Sequence, residues 1–191
     1  MEREALLSGL VHPGGREPAP EPLRLVQAFV NTVDREHGPD LFADAAGLEE
    51  WLGHHGLATP VGAGEDDVAR SAREALRSLL WANNGEPYDA GAADVLTRAA
   101  RRAELEPTFT PGDVALVPRA GGVDGAIGGI LAIAFAAMLD GGWRRLKACP
   151  GHRCGWAFYD RSTNASAAWC SMQVCGGRAK AGAYYRRRRG A

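Results

Sequence analysis

The chain has 191 residues, 46% of them apolar and 24% charged, with 22 Lys+Arg against 23 Asp+Glu. That length suits one large domain or two small ones and is enough to bury a substantial core without disulfides. No run approaches the ~18 uninterrupted apolar residues of a membrane span, and the opening MEREALLSGLVHPGG lacks signal-peptide architecture, so a cytoplasmic protein with no membrane partner is expected.

Residues 1–22 read as a flexible N-terminus, because HPGGREPAPEP is too rich in Pro and Gly to continue a helix or a central strand. Behind Pro22, Leu23, Val26, Phe29, Val30 and Val33 recur at helical spacing. Asn31 and Thr32 are a polar interruption at the end of this run. With Trp51 and Trp81 they are the candidate lining of a small-molecule sensor pocket; in the plainer reading Asn31 satisfies backbone groups and both tryptophans are core. DLFADAAGLEEWLGHHGL predicts a second helix, capped by Asp44, with Leu48, Trp51 and Leu52 as its apolar stripe and Gly56 as its stop. GEDDVARSAREALRSLLWANNGE is the clearest helix: its first turn is acidic, Val68, Ala72, Leu76, Leu79 and Leu80 share a face, and NNG ends it. AADVLTRAARRAEL predicts a shorter helix, and PTFTPGDVALVPRAGG two strands joined at PGD. GAIGGILAIAFAAMLD reads as an apolar helix central to the core, about 16 residues long and so short for a span. A boundary is expected at Gly141–Gly142.

Charge divides the chain at the same place. Residues 1–140 carry a balance of −11, whereas residues 141–191 carry +10, with Asp160 their single acid. A compact basic unit points towards polyanions, nucleic acid first. Arg153, Arg161, Arg178, Lys180, Arg186, Arg187, Arg188 and Arg189 are the candidate phosphate contacts, and DNA is the expected partner. Mutual cancellation between the two units and a solvated basic tail are the plainer alternatives.

All four cysteines lie in the basic unit, spaced Cys149-x4-Cys154-x15-Cys170-x4-Cys175. Two close pairs separated by an insert can bring four thiolates to one tetrahedral centre, which describes one structural Zn2+. Disulfides, an iron–sulfur cluster with unusual spacing, and His152 in place of one cysteine are the alternatives. KACP predicts a strand entering a knuckle, GWAFYDRS a second strand, and GGRAKAGAYYRRRR a basic helix. The fold class expected is therefore α+β: a mainly helical domain with a short β-hairpin over 23–141, then a treble-clef-like zinc finger with a basic helix over 142–191. So small a finger depends on its metal, and a chelator is expected to unfold residues 144–191 alone.

The string C…C…FYDRS…WCSM..CGGRAKA resembles the CGNR zinc finger. LVQAFVNTVD followed by LFADAAGLEEWLGHHGL resembles the ABATE domain that accompanies it, and together they cover about residues 23–186. The resemblance implies a stress-induced transcriptional regulator whose finger binds DNA, zinc ligands at Cys149, Cys154, Cys170 and Cys175, and special roles for Asp160, Ser162, Trp169, Arg178 and Lys180. Two positions depart from the family pattern: Gly177 stands where the naming motif has Asn, and Ala167–Ala168 where a basic pair often precedes the Trp. No G-x-S-x-G, P-loop or H-E-x-x-H motif suggests an enzyme. A protein-interaction adaptor is the rival reading, and a homodimer a candidate assembly, although no heptad seam is visible.

Overall fold

A computed structural model describes residues 3–9, 14–57 and 59–189. The N-terminal region is mostly helical: α1 (Arg3–Ser8), α2 (Leu23–Val30), α3 (Ala45–His54), α4 (Glu65–Ala82) and α5 (Ala90–Arg102) precede an antiparallel hairpin of β1 (Leu105–Thr110) and β2 (Asp113–Pro118), and α6 (Gly122–Asp140) follows. The C-terminal region holds β3 (Leu146–Ala148), paired antiparallel with β4 (Ala157–Tyr159), and α7 (Gly177–Arg189).

Local chemistry explains most boundaries. Asp44 accepts a hydrogen bond from the Gly47 N–H at 2.8 Å, and Asp89 accepts one from Ala92 at 3.1 Å, capping α3 and α5. Asp44, itself extended, caps α3 as expected, and the residues before it form a separate 3₁₀ turn (Leu41–Ala43). Glu65, Asp66 and Asp67 sit at the positive end of α4. The PGD turn carries Gly112 at φ +86°, a conformation that favours glycine.

The core is nucleated by Phe29, Phe42 and Trp51, whose ring centroids lie 5.5–5.7 Å apart, and extends through Leu48, Leu76, Leu80 and Ile130. Helix α6 packs Val123, Ile127, Ile130, Leu131 and Ala134 inward, against α2, α5 and β2. Its other face is open: Phe135, Met138 and Leu139 are exposed, as are Phe109 and Val114 of the hairpin. The helix has 19 residues, more than its apolar string suggests, and by length and composition alone it is long enough to cross a bilayer.

The N-terminal stretch departs from a flexible lead-in. Residues 1–2 and 10–13 lie outside the described residues, but Leu6 and Ala19 are buried. Arg16 donates to the carbonyls of Cys170 (2.8 Å) and Trp169 (3.0 Å) and lies over the Phe158 ring. Residues 14–18 thus form a strap against the C-terminal region.

One hydrophobic cluster runs from Leu23 and Val26 into Leu146, Trp156, Phe158 and Cys170. Around it, N-terminal side chains donate to the backbone of the C-terminal region. Asn31 donates to the Ala157 carbonyl (2.9 Å) and accepts from the Ala157 N–H (2.7 Å), which a β-strand partner would otherwise do. Gln27 donates to the same carbonyl. Asn83 reaches the carbonyls of Trp143 and Leu146, and Asn84 those of Ala148 and Ala168. Fully buried Arg77 donates to Gly155 and to Val30, with Glu74 beside it balancing its charge. Helix α2 ends at Val30 with buried Asn31 as its C-cap, and Val33 pairs with Asp40 instead of extending the helix.

An Asn31→Ala substitution leaves the buried Ala157 N–H without a partner. It should lower stability by about 2–4 kcal/mol in equilibrium urea unfolding, as much as a large core truncation, although the residue is polar.

Candidate metal centre and basic surface

The cysteines are brought together by three pieces of chain. The first is a knuckle between β3 and β4, in which the Cys149 N–H donates to Trp156 O (3.0 Å), Gly155 N–H to Cys149 O (3.2 Å) and Cys154 N–H to Gly151 O (2.8 Å). Gly151 sits close against the cluster: a Cβ there would lie 3.1 Å from the Cys175 sulfur and 3.3 Å from the Cys154 Cβ, a tight contact. The second is the insert that returns the chain to Cys170. The third is a π turn (Met172–Gly176), capped by Ser171, which accepts from Val174 N–H; it carries Cys175 into the start of α7.

The four sulfurs all lie within 4.8 Å of one another, with Cys154–Cys170 at 3.5 Å and Cys170–Cys175 at 3.6 Å. A tetrahedron with Zn–S bonds of ~2.3 Å has edges of about 3.8 Å, so the set fits one zinc ion. None of the four is in a disulfide, and His152 is exposed and outside the group. As bare thiols the cluster is electrostatically frustrated. Hydrogen bonds from Cys154 and Cys170 pull the Cys149 thiol far down. That hydrogen bond to Cys149 pushes Cys154 up to about 12, and Cys170 is raised for the same reason; burial raises Cys175. One negative sulfur suppresses the others, and a dication at the centre removes that conflict. Zinc held by all four thiolates supplies a cross-link and leaves no open position for water.

The insert is held by a buried ion pair. Lys147 of β3 donates to Asp160 (2.8 Å) and to the carbonyls of Ala165 and Ala167. Asp160 also accepts from the Ser162 hydroxyl and N–H and from the Ala167 N–H. Asp160 and Ser162 therefore brace the loop between the cysteine pairs. Nothing in the sequence reading singled out Lys147.

Helix α7 is exposed along its length and has no buried residue. Arg178, Lys180 and Arg186 to Arg189 all lie on it, and Arg188 covers the Tyr184 ring. Arg178 pairs with Glu36. Arg161 is engaged elsewhere, with Glu17, the Pro18 carbonyl and the Tyr159 ring. Arg153, at φ +59° in the knuckle, and Arg178 and Arg186 of α7 line an open groove of about 700 Å3, together with His152, Trp169 and Glu36.

The four candidate pocket residues do not surround a common cavity. Asn31 and Thr32 are fully buried, the first bonded to β4 and the second to the Phe29 carbonyl. Trp51 is in the aromatic core. Trp81 donates its indole N–H to the carbonyl of Cys149 at 3.1 Å, so it supports the knuckle. Gly177 has φ −62° and ψ −47°, ordinary helical values that use none of glycine's freedom, and a Cβ there would meet only the Met172 carbonyl, at 3.9 Å. Ala167 and Ala168 serve through their backbones, to Lys147, Asp160 and Asn84.

Two outcomes are expected. Because carbonyls of the knuckle bond to α4, that of Ala157 in β4 to Gln27 of α2 and to Asn31, and those of Trp169 and Cys170 to Arg16, chelation of zinc should lower the melting temperature of the whole protein in one transition. This replaces the expectation of selective unfolding of residues 144–191, and two separated transitions in calorimetry would restore it. Burial pushes the Asp160 carboxyl up, but the bonds from Lys147, Ser162 and Ala167 outweigh it and hold the group at about 2, below its ordinary 3.8. A depressed folded-state pKa means stability that is complete above pH ~4 and lost as pH falls towards 2, worth about 2 kcal/mol. A carbon-13 NMR titration of the Asp160 carboxyl should give that low midpoint.

No curated protein matches the chain significantly. Residues 145–188 match the model of the CGNR zinc finger, and residues 23–142 match the ABATE model, described as "Putative stress-induced transcription regulator". With the family model spanning most of its length and the four-cysteine cluster in the finger that follows, the chain belongs to the ABATE family and ends in a CGNR zinc finger.

Proposed function

We propose that the protein is a transcription regulator that binds DNA through its zinc finger, with α7 and the adjoining knuckle meeting the phosphate backbone. The observation that carries this reading is the placement of Arg153, Arg178 and Arg186 around one open groove beside the metal centre, continued by the exposed Arg187 to Arg189. The family description agrees with it. The finger is read as treble-clef-like, since a knuckle supplies Cys149 and Cys154 and the turn opening α7 supplies Cys175. The role is non-catalytic, because four thiolates saturate a tetrahedral zinc. The site of action is the cytoplasm, where thiols stay reduced. The N-terminal domain acts as a scaffold and interaction module, with no ligand cavity assigned at Asn31, Thr32, Trp51 and Trp81.

Arginines of this kind position the protein and carry little sequence information. With about six phosphates contacted, affinity for a random duplex should fall by roughly 10³ between 50 and 200 mM salt. Fluorescence anisotropy with a labelled duplex measures this, and replacing Arg186 to Arg189 by Gln should flatten the salt slope. Absence of salt-sensitive binding at 50 mM salt rejects the reading. It would leave the adaptor as the alternative, which the exposed Phe109, Val114, Phe135 and Leu139 favour as a protein-binding or self-associating face.

A further inference from the structure

The groove beside the metal centre already holds an anion from its own chain. Its described lining includes three arginines, Arg153, Arg178 and Arg186, and a single acid, Glu36. Glu36 is 142 positions from Arg178 in sequence, and its carboxylate meets that guanidinium. We propose that the groove is a site for a tetrahedral oxyanion, the backbone phosphate of a bound nucleic acid, and that Glu36 is its built-in competitor, so that phosphate entry requires the Glu36–Arg178 pair to open. The inference rests on the nucleic-acid reading above and adds the place of contact and its control.

Three observations support it. Glu36 does not reach the groove on a loose tether. The loop between Val33 and Asp40, which are bridged, is closed by Asp34: its carboxylate accepts from the N–H groups of Glu36 (3.0 Å) and His37 (3.1 Å) and contacts the His37 ring, while its backbone bonds to Gly38 and Pro39. Arg35 of the same loop pairs with Glu74 and lies over the Trp81 ring, the ring whose N–H supports Cys149. The loop is therefore fixed to the knuckle, and Glu36 is aimed at α7.

The pair also contributes little to folding. Arg178 and Glu36 are 59% and 33% exposed, and exposed pairs of this kind are weak. A weak pair is easily exchanged. A backbone phosphodiester carries the same single charge as a carboxylate, but a duplex presents several phosphates in a row, so it engages Arg178 together with the other guanidinium groups of the groove and displaces Glu36 while Arg178 stays in place. Finally, Arg153 and Arg186 have no acidic side-chain partner among the described residues, so two guanidinium groups of the groove stay unpaired after Glu36 has taken up Arg178.

The test uses full-length, zinc-loaded protein in four forms: wild type, Glu36→Gln, Arg178→Gln and the double variant. Glu106→Gln on the distant hairpin controls for a general loss of negative charge. Anisotropy with a random duplex at 50 mM salt and elution from heparin, a sulfated polyanion, are both read. Glu36→Gln should tighten duplex binding about two- to fivefold, more than Glu106→Gln, and the gain should disappear in the Arg178→Gln background. A gain equal to that of Glu106→Gln, or one that persists without Arg178, overturns the competitor. If no form binds duplex, yet Glu36→Gln elutes later from heparin only when Arg178 is present, the anion site and its competitor stand and the nucleic-acid reading falls. If Arg178→Gln weakens duplex binding but Glu36→Gln changes nothing, the nucleic-acid reading stands and the competitor falls.

Discussion

The structure depends on a backbone that cannot satisfy itself. The finger's sheet is two strands of three residues each, and the rest of its chain is knuckle, loop and helix. Buried carbonyls in such a segment need donors from elsewhere. Asn31, Gln27, Arg77, Trp81, Asn83 and Asn84 provide them, with Arg16 closing the far side. Asn31 matters most in kind, because it both donates to and accepts from Ala157 and so acts as a one-residue strand edge.

This arrangement makes the metal and the N-terminal domain parts of one stabilising system. Zinc gathers the knuckle, the insert and the start of α7 into one point. The side-chain donors then hold that point against α2 and α4. Cys149 belongs to both: its sulfur is in the cluster, its carbonyl accepts from Trp81, and its N–H is bonded to Trp156. A shift in the knuckle is therefore felt at the C-terminal end of α4, and a shift in α4 is felt at the metal. Coupling of this kind needs no ligand cavity in the N-terminal domain.

Features governed by nearby residues were legible in the sequence. Asp44 announced the start of α3, the acidic turn announced α4, PGD announced the hairpin, and the paired cysteines announced a metal centre and the basic helix after it. What escaped was non-local. NNG reads as a helix stop, and it is one, but Asn83 and Asn84 also reach carbonyls 60 or more positions away. Asn31 looks like a pocket residue because a polar side chain interrupts an apolar run; its true partner lies 126 positions on. The Pro- and Gly-rich stretch reads as loose because it cannot form regular structure, yet Arg16 within it anchors to the second cysteine pair. Spacing along a chain carries no information about such partners, since a single amide serves a turn, a cap or a distant strand equally well.

The same distinction settles how to regard the charge asymmetry. Opposite charges on two units invite the idea that they neutralise each other across the junction. Only Arg161–Glu17 and Arg178–Glu36 join an arginine of the basic unit to an acid of the other among the described residues, and Lys147 is balanced by Asp160 within its own unit. The junction is instead made mainly of apolar side chains and of side-chain donors (amides, an indole and two guanidinium groups) bonded to backbone carbonyls rather than to opposite charges. The acidic excess therefore remains on the N-terminal domain and the basic excess on α7. By charge alone, a polyanion would be repelled by the N-terminal domain and attracted to α7. Of the two direct charge contacts between the units, Glu36–Arg178 is the one that lies in the groove beside the metal centre.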